Sequence, residues 1–295
     1  MNVMDVEMTA STSTPIHSVV IPLRRRLPLI DTLRLAGDQP RIFWQNGQLT
    51  TAYAGWGVTA SLTASGPERF SRLRAEVEAL LSCVEVEGVP RDAAPRMFGG
   101  FAFRDDFAPH QTWRRFPNTY FVLPRVMITD TDGQLWLTVS GCNDQEDLHA
   151  EAVAIAHQLE ALETAAPAQQ ASVIETNYPL SREAWRDGVN DAVQRINDGE
   201  LQKVVLSRTG EIRFDRPVDV IPAMERLSQR YPSTYRFLFE PQQGAAFMGA
   251  TPELLIEVAD RRVRTAAVAG SIGRGANERE DAELAAELFT STKER

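Results

Sequence analysis

The chain has little that would tie it to a metal, a nucleic acid or a membrane. Its two cysteines, Cys83 and Cys142, stand far apart in 295 residues and in no metal-like spacing, so reduced thiols in a cytoplasmic protein are expected. The four histidines, His17, His110, His149 and His157, form no HExxH-type pattern and read as surface residues. No window approaches the roughly 18 apolar residues of a membrane span, and residues 1–20 have neither the basic start nor the apolar core of a signal peptide. The formal net charge is -9, the opposite of the basic stripe a nucleic-acid binder carries. The one tight basic cluster, Arg24-Arg25-Arg26, reads as a solvated turn. What is left is a soluble globular protein, 43% hydrophobic, long enough for one large domain or two smaller ones.

Four stretches are expected in chain order. A loose lead-in covers 1–28, an α+β portion 29–163, a linker rich in Ala, Gln and Pro 164–179, and the portion that concentrates the chemistry 180–295. In the first half, Arg41-Ile42-Phe43-Trp44-Gln45 and Gln48-Leu49-Thr50-Thr51-Ala52-Tyr53 flank Asn46-Gly47. That pair supplies the positive φ values of a type I′ hairpin turn. Pro67 opens an expected helix with Phe70, Leu73, Val77 and Leu80 at helical spacing. The glycine pair in Phe98-Gly99-Gly100-Phe101 points to a bulge or a close backbone approach inside a strand, and Pro124 belongs at an edge or bulge. Asp130-Thr131-Asp132-Gly133 turns the chain into another strand. A helix over about 145–162 is expected to carry Val153, Ala156, Leu159 and Leu162 on its buried stripe.

Three segments of the second half carry candidate chemistry. Ser181 caps an expected helix with Trp185, Val189, Ala192, Val193 and Ile196 on its buried face, and Gly199 ends it. Leu201-Gln202-Lys203-Val204-Val205-Leu206-Ser207-Arg208 then reads as a short apolar strand with Lys203 facing the same way as Leu201 and Val205. A lysine so placed either snorkels to the strand edge or is held out of water. In the second case a base working near pH 7 needs its pKa lowered by about three units, roughly 4 kcal/mol of differential solvation.

In Gly249-Ala250-Thr251-Pro252-Glu253, Pro252 forces Thr251 to be extended, and Glu253 emerges from the turn. Glu253 is either an acid for catalysis or the first-turn carboxylate of a helix capped by Thr251. The alternation of Leu254, Ile256 and Val258 favours a strand beyond. The third segment runs from Val263 through Ala269-Gly270-Ser271 to Gly275, a small-residue strand entering a glycine-rich loop, with a helix expected near Asp281 and Leu284 and Leu288 on its buried stripe. The loop lacks both the ending of a P-loop and the spacing of a dinucleotide fingerprint. Such loops still present N–H groups to anions, and Arg261, Arg262, Arg264, Arg274 and Arg279 make a local basic excess in an acidic chain. A plain connecting loop is the alternative.

In this order, Lys-Val-Val-Leu-Ser-Arg, Gly-Ala-Thr-Pro-Glu-Leu-Leu, Ala-Gly-Ser-x-x-Arg-Gly and Ser291-Thr292-Lys293-Glu294 resemble the motifs of the chorismate-utilising enzymes. These are isochorismate synthase, salicylate synthase and the large subunits of anthranilate and aminodeoxychorismate synthase. The resemblance covers residues 180–295. Phe98-Gly99-Gly100-Phe101 and the run from Trp113 through Phe116-Pro117 to Leu123-Pro124-Arg125 extend it, since they resemble the N-terminal portion of isochorismate synthases.

The resemblance implies an α+β fold of stacked, mainly antiparallel sheets with helices outside, the stretches above being parts of one interleaved unit. It also implies a magnesium-dependent isomerase that converts chorismate to isochorismate, acting as a monomer on that small molecule in menaquinone or siderophore synthesis. Lysine at position 203 marks the water-using members, because the amine-transferring relatives carry glutamine there. Lys203 is then the base that activates water for C2 of chorismate, Glu253 the acid that protonates the departing C4 hydroxyl, and Ala269, Gly270 and Ser271 the backbone that holds a substrate carboxylate. Family members are longer. The metal-binding glutamates and the residues gripping the substrate are expected beyond Arg295, so residues 1–295 alone are expected to bind Mg²⁺ poorly and show little or no turnover. The alternatives are a salicylate synthase or an inactive fragment that keeps only the scaffold.

Overall fold

Strand pairing starts nearer the amino terminus than the sequence suggests. The computed structural model describes residues 15–24, 28–86, 90–142, 147–162, 171–259, 261–266 and 270–291. Within the expected lead-in, β1 (Ile16–Leu23) is a full strand with Ile16, Ser18 and Leu23 buried. Pro22 made the stretch look like a loop. It falls where β1 has outrun its short parallel neighbour, which pairs only with residues 16–18, so the missing N–H leaves no acceptor unserved on that flank.

The chain continues through α1 (Leu29–Thr32), β2 (Arg41–Gln45), β3 (Thr51–Trp56), β4 (Ala60–Thr63), α2 (Arg69–Ser82), β5 (Val84–Val86), β6 (Phe98–Phe101), β7 (Thr119–Leu123), β8 (Val126–Thr131), β9 (Gln134–Gly141) and α3 (Leu148–Ala161). Then come β10 (Val173–Asn177), α4 (Arg182–Asn197), β11 (Glu211–Phe214), α5 (Val220–Arg230), β12 (Tyr235–Gln242), β13 (Ala245–Thr251), β14 (Glu257–Ala259), β15 (Arg262–Arg264) and α6 (Glu278–Thr290). Eight strands form one sheet in the order β13-β12-β2-β3-β8-β9-β1-β5, antiparallel except for β1 beside β5. A second sheet runs β4-β7-β6, and the two-stranded sheets β10-β11 and β14-β15 stand apart from both. This is the α+β architecture expected. No helix among the described residues is long and apolar enough to cross a membrane.

The two faces of the large sheet bury different chemistry. On one, Phe43, Ala54, Ile128, Leu137 and Leu238 meet Leu29 of α1, Leu148, Ala152 and Leu159 of α3, and Ile221 and Met224 of α5. Each of the Leu, Ile, Phe and Met side chains among them contributes roughly 1.5–3 kcal/mol on full burial. Strand alternation turns Trp44, Tyr53, Tyr235, Phe237 and Phe239 to the other face, towards the small sheet. There Tyr53 meets Phe98 at 5.5 Å and Tyr120 meets Phe239 at 5.7 Å between ring centroids. Pro124, between β7 and β8, marks the point where the chain crosses from one sheet to the other.

Local signals succeed where backbone chemistry decides and slip where it does not. Asp132 (φ 51°) and Gly133 (φ 81°) make the two-residue type I′ turn, and Asp130 Oδ1 accepts the Gly133 N–H at 2.9 Å. The Asn46-Gly47 connection is longer than expected. Asn46 Oδ1 instead accepts the N–H groups of Thr50 and Thr51, and Leu49 takes the positive φ of 61°. In α3, capped by Asp147, the buried stripe is Leu148, Ala152 and Leu159, with Ile155 and Ala156 partly buried against the same core, while Val153 lies off that stripe and is exposed. Ser181 Oγ accepts from Ala184 N–H at 3.1 Å and Gly199 has φ 76°, as expected, yet on α4 only Ala192 is buried. Part of the expected linker is the strand β10, which pairs with β11, and residues 163–170 lie outside the described ones.

Candidate active site

A glycine contact and a proline-directed turn shape the end of β13. A Cβ on Gly249 would lie 2.8 Å from the Phe237 ring on the paired strand, so only glycine lets that aromatic lie flat across the neighbouring strand. Two residues on, Thr251 is held extended by Pro252, and its Oγ1 accepts the Glu253 N–H at 3.2 Å. Glu253 leaves this turn exposed to solvent and opens no helix. The next regular element is the strand β14, as the alternation of Ile256 and Val258 predicts.

Arg236, opposite Ala250 across β12 and β13, was not singled out from the sequence. It is 4% exposed, its Nε has no hydrogen-bond partner among the described residues, and one N–H reaches the Pro232 carbonyl at 3.5 Å. Burial pulls its guanidinium below the usual arginine range. The signal was present in the sequence as a cation inside Tyr-Arg-Phe-Leu-Phe, the same pattern that drew notice to Lys203.

Lys203 stands differently from expectation. Residues 201–210 form no strand, and Lys203, Val205 and Ser207 are all exposed, Val205 at 81%. The far end of the segment is anchored: Arg208 lies over the Tyr178 ring at 4.6 Å, and a Cβ on Gly210 would come within 3.1 Å of the same ring. The Lys203 end has no neighbouring strand among the described residues, so the apolar run is not buried and the lysine is not desolvated.

The glycine-rich loop is organised by its own helix. Asn277 caps α6 by accepting the Glu280 N–H, while Asp281 accepts the Gly275 N–H at 2.9 Å and Glu280 accepts that of Ala276 at 2.8 Å. Arg274 grips Asp281 through two bonds of 2.6 and 2.5 Å. Arg264 pairs with Glu257, and Arg279 lies 3.9 Å from Glu283. Much of the local basic excess is therefore matched by nearby carboxylates. Gly270 is half-buried and Ser271 exposed, and Ala269 lies outside the described residues. Among the described residues no hydrogen bond or ion pair joins Lys203, Glu253 and Ser271.

No three His, Cys, Asp or Glu side chains converge among the described residues. Their donor set does not make a magnesium site, and no chemical step can be routed through such an ion on them.

A family model described as chorismate binding enzyme matches residues 6–295. The chain belongs to the chorismate binding enzyme family. It is 29% identical over 296 residues to isochorismate synthase MenF of Bacillus subtilis, covering 94% of this chain and 62% of that protein. It is 29% identical over 281 residues to the salicylate biosynthesis isochorismate synthase of Pseudomonas aeruginosa, covering 90% of this chain and 56% of the relative. The solved structure of MenF, the menaquinone-specific isochorismate synthase of Escherichia coli, superposes with a TM-score of 0.67 at 21% identity, over 95% of this chain and 60% of the other. This chorismate binding enzyme thus shares the fold of that protein, and it spans 56–62% of the length of these relatives.

Proposed function

We propose that this chain carries the acid–base residues of an isochorismate synthase. Lys203 takes a proton from water as its oxygen bonds to C2 of chorismate. The diene electrons shift around the ring, the C4–O bond breaks, and Glu253 gives its proton to the departing hydroxide, which leaves as water. The backbone at Ala269, Gly270 and Ser271 holds a ring carboxylate. One observation carries the reading: an amine stands at position 203 within the family's motif order, where amine-transferring relatives carry a glutamine that cannot deprotonate water. The similarity to two proteins named isochorismate synthase supports it. Magnesium dependence is part of the proposal by resemblance alone.

The chemistry sets a condition. An exposed ammonium is a poor base at neutral pH, so Lys203 must lose water contact when the site works. The test is product analysis of chorismate incubated with the protein and MgCl₂. Slow, Lys203-dependent formation of isochorismate is expected, and Lys203→Ala should remove it while calorimetry still detects chorismate binding. Salicylate with pyruvate would move the reading to salicylate synthase. Ammonia-dependent anthranilate, or unchanged turnover in Lys203→Ala, would overturn the base assignment.

A further inference from the structure

The end of β13 away from Glu253 borders a polar cavity. It has a volume of about 490 Å³ and lies between the turn at residues 110–116 and the tip of the β12-β13 hairpin. Thr112, Arg114 and Arg115 are its polar lining, and Phe116, Gly244, Ala245 and Ala246 supply the rest.

Both walls are held in place by their own contacts. In the turn, Trp113 N–H donates to the His110 carbonyl at 3.0 Å and Phe116 N–H to the Trp113 carbonyl at 2.8 Å. The Trp113 ring packs on Phe116 and on Phe247, each at 5.6 Å between centroids. Arg115 Nη1 donates to the Gln243 carbonyl at 3.1 Å and ties the turn to the hairpin. Across the cavity Gly244 takes a φ of 77°, and its N–H is bonded to Glu240. That carboxylate is neutralised by Arg41, so it does not cancel the guanidiniums.

Charge sets this pair apart from the arginines near it in the chain. Arg96 lies 3.7 Å from Asp92, Arg104 grips Asp106 and Arg125 bonds to Glu151. Arg114 and Arg115 form no ion pair among the described residues, although acidic side chains outnumber basic ones 40 to 31 in the chain. Two guanidiniums lining one cavity repel each other, and an anion between them removes that repulsion. Arginine is also the cation suited to two-pronged contact with a carboxylate or phosphate. The volume and the mix of apolar wall with a few polar groups are those of a small-molecule site. Two arginines on a chain of charge -9 make neither the stripe of a nucleic-acid binder nor a membrane face. About 20 Å of β13 separates this cavity from the Glu253 turn.

We propose that the cavity is a binding subsite for a small oxyanion, the carboxylate or phosphate group of a metabolite, held by Arg114 and Arg115 with Thr112 as a further donor. The subsite rests on geometry and charge and does not depend on the proposed chemistry at Lys203 and Glu253.

The probes are inorganic phosphate and malonate, titrated into the protein at constant ionic strength set with sodium chloride and followed by amide chemical shifts. Saturable one-to-one binding of at least one probe is expected, with shifts confined to residues 112–116 and 243–246. Tighter binding of phosphate would support a phosphoester ligand, and tighter binding of malonate a carboxylate. Arg114→Gln and Arg115→Gln should each weaken binding about tenfold, with the circular dichroism spectrum unchanged. Arg104→Gln makes the same change in charge beside the aromatic residues between the two sheets and not in this cavity, and should bind as the parent does. No saturable binding, unchanged affinity in Arg114→Gln and Arg115→Gln, or equal weakening by all three variants would overturn the proposal. So would shifts at Gly270 and Ser271 in place of the turn, which would put the anion on the glycine-rich loop.

Discussion

Gly99 of β6 lies directly against Tyr120 of β7: a Cβ built on Gly99 would stand 2.0 Å from the Tyr120 carbonyl oxygen and 2.6 Å from the Cα of Phe121. Backbone cannot yield as a flexible side chain can, so Gly99→Ala must push β6 off its partner. The expected loss is about 1–3 kcal/mol, the usual cost of overpacking. The neighbouring Gly100 meets nothing within 4 Å at the same test position. Gly100→Ala should therefore fall within about 0.5 kcal/mol of the parent. Urea unfolding of the two variants side by side checks this, and equal midpoints would refute the close approach.

Arg41 and Glu240, opposite each other on β2 and β12, make a buried ion pair. Arg41 Nε donates to Glu240 Oε2 at 2.6 Å, the carboxylate side chain is 1% exposed, and its other oxygen accepts the Gly244 N–H at 2.8 Å. Arg41→Ala would strand the carboxylate among apolar neighbours and should cost about 3–5 kcal/mol. Replacing both partners together, as Arg41→Met with Glu240→Leu, should recover much of that loss, since no unpaired charge then remains. A double-mutant cycle by thermal unfolding measures the difference. Losses that merely add would show that the two groups do not interact.

How much of this was legible in the residues depended on whether a neighbour was needed to read them. Asp132-Gly133, Ser181 and the Gly99-Gly100 pair act through backbone conformation and close approach, and each appears where the residue types placed it. β1 was missed because Pro22 reads as a breaker until it is known that β5 stops short. α5 and β12 were not singled out, although Asp219 caps the helix by accepting the Ile221 N–H at 3.0 Å and Ile221 and Met224 lie on one stripe. The candidate site was legible as motifs, and Glu253 leaves its turn beside a β-strand as expected. The exposure of Lys203 was not, because burial depends on what packs beside a segment and is written in no residue of the segment itself.

Glu225 of α5 faces Asp31 and Arg34 beside α1, with Asp219 near. Burial, reinforced by the Asp31 carboxylate and a hydrogen bond to it, raises the Glu225 pKa above its ordinary 4.5, and Arg34 offsets this only in part. A carboxyl whose pKa is raised by folding favours the protonated folded state. Its stabilising contribution is complete below 4.5 and is lost as pH rises through the higher folded value. Glu225→Gln keeps a hydrogen-bond donor for Asp31 and carries no charge. The variant should match the parent in melting temperature at low pH and exceed it near neutrality. A parent and variant that fall in parallel above pH 4.5 would remove Glu225 from the account.

Asp281 governs the glycine-rich loop by the opposite sign. The Arg274 guanidinium, with help from the Gly275 N–H, holds its carboxyl below the ordinary 3.8. The contribution of this contact is therefore present above 3.8 and is lost as pH falls through the lowered value. The backbone of the same residue also packs closely on the loop, since a Cβ on Gly275 would sit 2.3 Å from the Asp281 main-chain nitrogen. Asp281→Asn removes the charge that grips Arg274 but leaves α6 its Asn277 cap. Faster amide exchange is expected at Gly275, with Glu280, behind that cap, unchanged. If residues 270–271 position a substrate carboxylate, loosening the loop that follows them should also weaken chorismate binding in calorimetry. Tight binding beside a loosened Gly275 would separate the anion contact from this loop and place it on other groups.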